Sequence, residues 1–286
     1  MRQIRKPIVA LVCPDNDPES RLILLIAYRL GMTVIRSGQG LGATLDRERG
    51  DLMELILSTG CRNVWIVEIP GPEIEARLRE NGLNVKIIDH HTYGNLNRSQ
   101  GPDGNPLPSS LEQFLILIGL DDRDLTALGL DPVVVRGIAI MDARFVQGLR
   151  EEGFTHNEIC RVLDFRERCS RAGNPDFDQA QASALLAWKN RRRVGSYNVV
   201  DSKAVVSIRG AVSTITIYKN CDTEPLIVVD KLGEEIFVQN VDPSVVVQLR
   251  SAFPEGFTFG TGRCWGVNNK KSRTRYTMDH ILGVLS

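Results

Sequence analysis

The stretch Asn84-Val85-Lys86-Ile87-Ile88-Asp89-His90-His91 decides how the rest of the chain is read. Asn84 to Asp89 reads as a strand, and the polar triplet Asp89-His90-His91 closes it. The chain of 286 residues holds only four histidines, and two of them stand side by side here, behind an acid. Ligands of open parallel sheets bind at the carboxyl ends of the strands. The triplet therefore weighs towards function, where an isolated histidine would weigh towards packing.

The segments around it repeat one pattern. Ile8 to Cys13 is a short apolar run that suits a buried strand. Glu19 to Leu30 reads as a helix stopped by Gly31, Thr33 to Ile35 as a strand, and Glu48 to Thr59 as a helix stopped by Gly60. Asn63 to Ile69 is a third strand, followed by a helix over Pro72 to Glu80. Strands alternating with helices imply right-handed crossovers and a mostly parallel sheet flanked by helices. Tyr93 to Pro108 is a polar loop, after which helices are expected over Leu111–Leu120, Pro132–Gln147, Asn157–Arg168 and Asp176–Asn190. Beyond Arg193 the texture changes. Ala204–Ile208, Thr214–Tyr218, Leu226–Val229 and Glu235–Gln239 read as short strands, and Asp242–Phe253 and Met278–Leu285 as helices. The expected architecture is thus α/β, with a first domain over 1–190, a smaller α+β domain over 191–286, and a cleft between them.

Composition narrows the function. Thirty-five basic side chains balance 35 acidic ones, which gives no electrostatic case for long nucleic acid or a membrane surface. No apolar run approaches the roughly 20 residues of a membrane span, and the first residues lack the apolar core of a signal peptide. The six cysteines form no Cys-x-x-Cys pair. A cytoplasmic location with free thiols is the expectation.

Acids gather where the strands end. The first strand runs into Pro14-Asp15-Asn16-Asp17, the third ends at Glu68, and Asp142 lies in an apolar helical stretch. Singly, Asp15 and Asp17 suit a turn and a helix cap, Glu68 a strand end, and Asp142 a salt bridge. Together with the histidines, they would repel or stay unpaired without a cation, and a divalent metal such as Mn²⁺ satisfies carboxylate and imidazole alike.

The triplet Asp89-His90-His91, after Ile87-Ile88 and the earlier Pro14-Asp15-Asn16-Asp17, resembles the DHH phosphoesterase superfamily. That superfamily includes phosphodiesterases, exonucleases, exopolyphosphatases and manganese-dependent pyrophosphatases. The resemblance covers nearly the whole chain. It implies a metal-dependent hydrolase with Asp17, Glu68, His90 and Asp142 on one Mn²⁺, and Asp15 with Glu68 on a second. Mg²⁺ is an alternative ion. It also implies His91 and Asp89 as catalytic groups beside the phosphate. Gly260, Gly262, Arg263 and Trp265, in Gly260-Thr261-Gly262-Arg263-Cys264-Trp265-Gly266, would bind substrate. Arg263 would fork a phosphate and Trp265 would stack on a base.

Three positions depart from the family pattern. Leu11 stands where a histidine ligand is usual, Glu68 where an aspartate bridges, and Arg263 where the glycine-rich loop carries a histidine. Gln239-Asn240 sits near the place of an Arg-Ser pair. The expected activity is hydrolysis of a small nucleotide or short oligonucleotide phosphoester. A non-catalytic nucleotide or phosphate sensor and a pyrophosphate or polyphosphate hydrolase are the alternatives. A homodimer is left open.

Overall fold

In the computed structural model, residues 8–40, 42–93, 95–260 and 262–285 are described. The chain divides into two compact units, at Gly173/Asn174.

In the first unit, β1 (Ala10–Pro14), β2 (Thr33–Ser37), β3 (Asn63–Val67) and β4 (Asn84–Ile88) form a parallel sheet in the order β2-β1-β3-β4. Helices α1 (Pro18–Arg29), α2 (Leu52–Ser58) and α3 (Pro72–Glu80) make the crossovers. The strands are apolar on both faces, as a sheet covered on both sides requires. Ala10 and Val12 of β1 and Val64 and Ile66 of β3 pack with Ile56 of α2 and Leu78 of α3. The alternate residues turn the other way, where Trp65 meets Phe114 edge to face at 6.1 Å. Helices α4 (Ser110–Ile118), α5 (Asp122–Ala127), α6 (Pro132–Glu151) and α7 (His156–Gly173) complete the unit, and α1 packs against α4, α6 and α7. A short hairpin, β5 (Thr92–Tyr93) with β6 (Leu96–Asn97), follows β4. The expected α/β class with a parallel sheet holds. The strand order reverses direction between β1 and β3, so the switch point of the sheet lies at the ends carrying Asp15, Asp17 and Glu68.

The second unit opens with α8 (Phe177–Lys189), whose Ala184, Ala187 and Trp188 pack with Val200 and Val228. That packing draws α8 away from the first domain expected over 1–190. Its mixed sheet has the order β11-β12-β10-β9-β8-β7, built from β7 (Arg192–Val194), β8 (Tyr197–Asp201), β9 (Leu226–Asp230), β10 (Glu235–Gln239), β11 (Phe257–Phe259) and β12 (Cys264–Asn268). Alternate residues of one strand enter opposite cores. Ile236 and Val238 join Trp265 and Leu249 on one face, and Phe237 joins Val212 and Val228 on the other. Helices α9 (Arg209–Tyr218), α10 (Pro243–Ala252) and α11 (Met278–Leu285) cover the sheet.

Two strand expectations fail here. Thr214–Tyr218 lies in α9, and Ala204–Ile208 is irregular. The β-branched run Thr214-Ile215-Thr216-Ile217 suggests a strand. Its buried positions, however, follow Ile208, Val212 and Ile215, which is a helical spacing. The hydroxyls of Ser213 and Thr214 donate to the carbonyls of Arg209 and Gly210 one turn back, which suits them to the helix.

Candidate metal centre

Four side chains meet at the carboxyl end of the first sheet. One ligand atom from each of Glu68, His90, His91 and Asp142 lies within 4.8 Å of the others. Glu68 directly follows β3 and has φ +51°. A glutamate rarely adopts that left-handed backbone, and such strain concentrates at functional sites. Its N–H donates to the Ile88 carbonyl (3.1 Å), tying the end of β3 to the end of β4. His90 and His91 follow β4, with their rings 4.2 Å apart. Asp142 comes from the middle of α6, three residues before the helical path breaks at Phe145 (φ +56°, ψ −165°).

The Nε2 atom of His90 is surrounded by acids. It stands 2.8 Å from Asp142 Oδ2, 3.5 Å from Glu68 Oε1 and 3.6 Å from Glu19 Oε2. None of these oxygens completes a well-aligned hydrogen bond with it. His90 Nε2, Glu68 Oε1 and Glu19 Oε2 are all buried without a partner. Buried polar atoms of native proteins are nearly always paired, and three orphans around one point are what a cation would satisfy. The donor set of imidazole and carboxylate oxygen suits Mn²⁺, Zn²⁺ or Fe²⁺ better than Mg²⁺, which prefers oxygen alone.

The electrostatics agree with an unneutralised cluster. Burial alone would lower the His90 pKa, but Asp142, Glu19 and Glu68 outweigh it and push it up to about 12. Burial, then the charge of Glu68, raises the carboxyl of Asp17 to about 6 against the hydrogen bonds from Ser20. Burial likewise pushes Glu19 well up. Asp142 goes the other way: burial opposes its ionisation, yet contact with His90 holds it below the usual range.

Asp89 does a different job. It is buried, and its Oδ1 accepts from the His91 N–H (3.0 Å) and lies 3.1 Å from His91 Nδ1. It therefore orients the His91 ring and raises its pKa, with burial working against it. The His91 side chain is 44% exposed. The Tyr93 hydroxyl donates to Asp89 Oδ1 (3.3 Å), and Gln113 Nε2 donates to the Asp89 carbonyl (2.9 Å). Arg98, just past the β5–β6 hairpin, pairs with the buried Glu75 and approaches Asp89 Oδ2 at 3.7 Å.

The structure thus gathers Glu68, His90, His91 and Asp142, with Asp89 behind them. Asp17 caps α1, accepting from the Ser20 N–H (2.8 Å) while feeling the charge of Glu68. Asp15 is held by Arg21 Nε (2.8 Å) and Arg36 Nη1 (3.1 Å). Leu11 is fully buried in β1. Gly260, Gly262 and Arg263 belong to the second unit, in the turn from β11 to β12; both glycines have positive φ (+63° and +75°), and Arg263 is exposed. Thr261 lies outside the described residues. The stacking role expected of Trp265 is corrected: the indole is 0% exposed, sits in β12 and packs against Phe253 at 5.6 Å. An aromatic after a glycine turn reads the same whether it faces ligand or core. Sequence reasoning missed Glu19, Tyr93 and Arg98. Glu19 reads as an ordinary first-turn acid of a helix, and in the sequence only its place in the even series Asp15, Asp17, Glu19 sets it apart.

No protein-family model matches the chain, and no curated protein matches it. Solved structures of similar fold include the exonuclease RecJ bound to manganese, at 14% identity and TM-score 0.38, covering 91% of this chain and 85% of that one. The DHH domain of a member of a family of ribosomal proteins aligns at 12% identity and TM-score 0.41, covering 96% and 85%. A pGpG-specific phosphodiesterase from Vibrio cholerae aligns at 11% identity and TM-score 0.39, covering 91% and 92%.

Proposed function

We propose that the protein is a divalent-metal-dependent phosphoesterase acting on a small nucleotide or short oligonucleotide, with Mn²⁺ as the preferred ion. One observation carries this reading: Glu68, His90, His91 and Asp142 converge within 4.8 Å at the switch point of a parallel sheet, and buried donor atoms there lack partners. Glu68, His90 and Asp142 would hold the ion, with Asp17 at the edge of the set. When bound, a divalent cation supplies Lewis-acid polarisation of a phosphoryl oxygen and a nucleophile at neutral pH. His91 is the exposed, carboxylate-oriented imidazole, suited to exchanging a proton with the attacking or leaving oxygen. Asp89 keeps its proton on the correct nitrogen. A neutral overall charge favours a small substrate over a long polymer.

A second reading, a nucleotide or phosphate sensor without turnover, is favoured by two facts. Leu11 is buried where the family pattern has a ligand, and Asp15 is held by two arginines. Mn²⁺-dependent hydrolysis decides between them. The panel holds a generic diester, short RNA dinucleotides, a 3′-phosphorylated nucleotide, cyclic dinucleotides and pyrophosphate. Turnover that disappears in the Asp17→Ala/His90→Ala double variant supports the phosphoesterase. No turnover by protein shown to hold Mn²⁺ rejects it for that panel and favours the sensor.

A further inference from the structure

We propose that Glu19 is a metal ligand in this chain and that the centre holds one divalent cation, the place of a second being served by Arg21 and Arg36. The proposal rests on the reading of the Glu68–His90–Asp142 cluster as a cation site.

Glu19 is 1% exposed, in the first turn of α1. An ionised carboxylate is not left in such a position without strong compensation. One oxygen is accounted for: Oε1 accepts the Leu111 N–H at the start of α4 (2.7 Å). That bond fixes the side chain and leaves Oε2 buried and unpartnered. Oε2 lies 3.6 Å from His90 Nε2, almost the same separation that Glu68 Oε1 keeps (3.5 Å). Donor atoms each about 2.1 Å from one ion stand roughly 3–4 Å from one another. The His90–Glu19 and His90–Glu68 separations of 3.6 and 3.5 Å fall in that range, and His90–Asp142, at 2.8 Å, lies just below it. Among the described residues, no basic side chain other than the two adjacent histidines is paired with Glu19 or Glu68.

Asp15 has the opposite surroundings. Arg21 Nε and Arg36 Nη1 lie on its two different oxygens, at 2.8 and 3.1 Å. Arg21 also donates to the Cys169 carbonyl, so its guanidinium is held from two sides. A guanidinium cannot shed its proton to make room for a metal. Two of them on Asp15 neutralise this carboxylate by hydrogen bonding. The carboxylate left for a cation on this side is therefore that of Glu19, four residues past Asp15.

The test is calorimetric titration of Mn²⁺ into EDTA-treated full-length protein, with Mn²⁺ electron paramagnetic resonance counting bound ions. Wild type is expected to take one ion. Glu19→Gln is expected to weaken binding by at least roughly 10- to 100-fold, the loss typical of even an outer partner of a metal site. Asp15→Asn is expected to leave the stoichiometry at one. Glutamine keeps an oxygen for the Leu111 N–H, so metal-free Glu19→Gln should melt no lower than metal-free wild type. If it does melt lower, Glu19→Asp is titrated instead; it keeps the charge and shortens its reach, and the same loss is expected. Wild-type affinity in the Glu19 variant, with binding lost in His90→Ala, overturns the role of Glu19 and leaves the cation site standing. Two ions in wild type, one of them lost in Asp15→Asn, overturns the single-ion centre. Wild type and His90→Ala binding equally poorly shows instead that the cluster is not a cation site.

Discussion

His90 has three carboxylates around one ring nitrogen, and that crowding sets a pH dependence. In metal-free protein its folded pKa is pushed up to about 12, above the ordinary histidine value. The stability this contributes is complete below the unfolded pKa and is lost only as pH rises towards the folded one. A metal must displace that proton, so ion binding releases at least one proton and strengthens by about tenfold per pH unit per proton released. Calorimetry at pH 7 in two buffers of different ionisation enthalpy measures the release directly; no difference between the buffers rejects it. Asp89→Asn should leave Mn²⁺ stoichiometry intact while lowering turnover roughly 10- to 100-fold, as expected for a residue acting through the one it orients. The Asp-His-His triplet was legible because its three residues are adjacent and end a strand. Glu68 was legible as an acid at a strand end, but its ligand role and that of Asp142 came only through the family resemblance, since the fold brings the two together from β3 and α6. Glu19 was not read as a site residue, because first-turn acids are common: its even spacing after Asp15 and Asp17 is a faint signal, and its burial is a product of the fold.

Elements show the same division between short-range and long-range information. The first four strands and α3 follow from apolar runs punctuated by helix stops such as Gly31 and Gly60, both at positive φ. β8 and β12 were missed, and α9 was read as a strand, because β-branched residues serve either element when both faces of a sheet are covered. Trp265→Ala should cost about 3–5 kcal/mol, a core loss with no ligand involved; urea unfolding measures it, and a cost below about 1 kcal/mol would contradict its burial. Arg98→Met leaves the buried Glu75 with only the more distant Arg79 (4.0 Å) and should cost about 3 kcal/mol. Because Arg98 also faces Asp89, the same variant should disturb turnover more than a remote core change of equal cost. At the α6–α7 packing, a Cβ on Gly137 would meet Val162 Cγ2 at 2.2 Å, which explains why these helices cross at a glycine.

For the whole molecule, two units with separate cores predict separable behaviour. All residues of the proposed cation set lie before Gly173. Saturating Mn²⁺ at about 100 times its Kd should raise the stability of the first unit by about 2.7 kcal/mol and leave the second unchanged. Differential scanning calorimetry of the full chain reads this as one shifted and one fixed transition. A single transition that moves as a whole would show that the units unfold together. The α/β class and the smaller second unit were legible from the alternation of elements, whereas the Gly173/Asn174 division depends on the packing of α8 on Val200 and Val228. Among the described residues, no helix is long and apolar enough to cross a membrane.

The backbone of Glu68 carries a last consequence. A left-handed residue with a long side chain is maintained against its own conformational preference, and glycine or asparagine would relieve it at once. A library selected for heat resistance in chelator should therefore discard the glutamate early, whereas the same library selected in Mn²⁺ should retain it. Position 68 would record which of the two conditions the protein had evolved under.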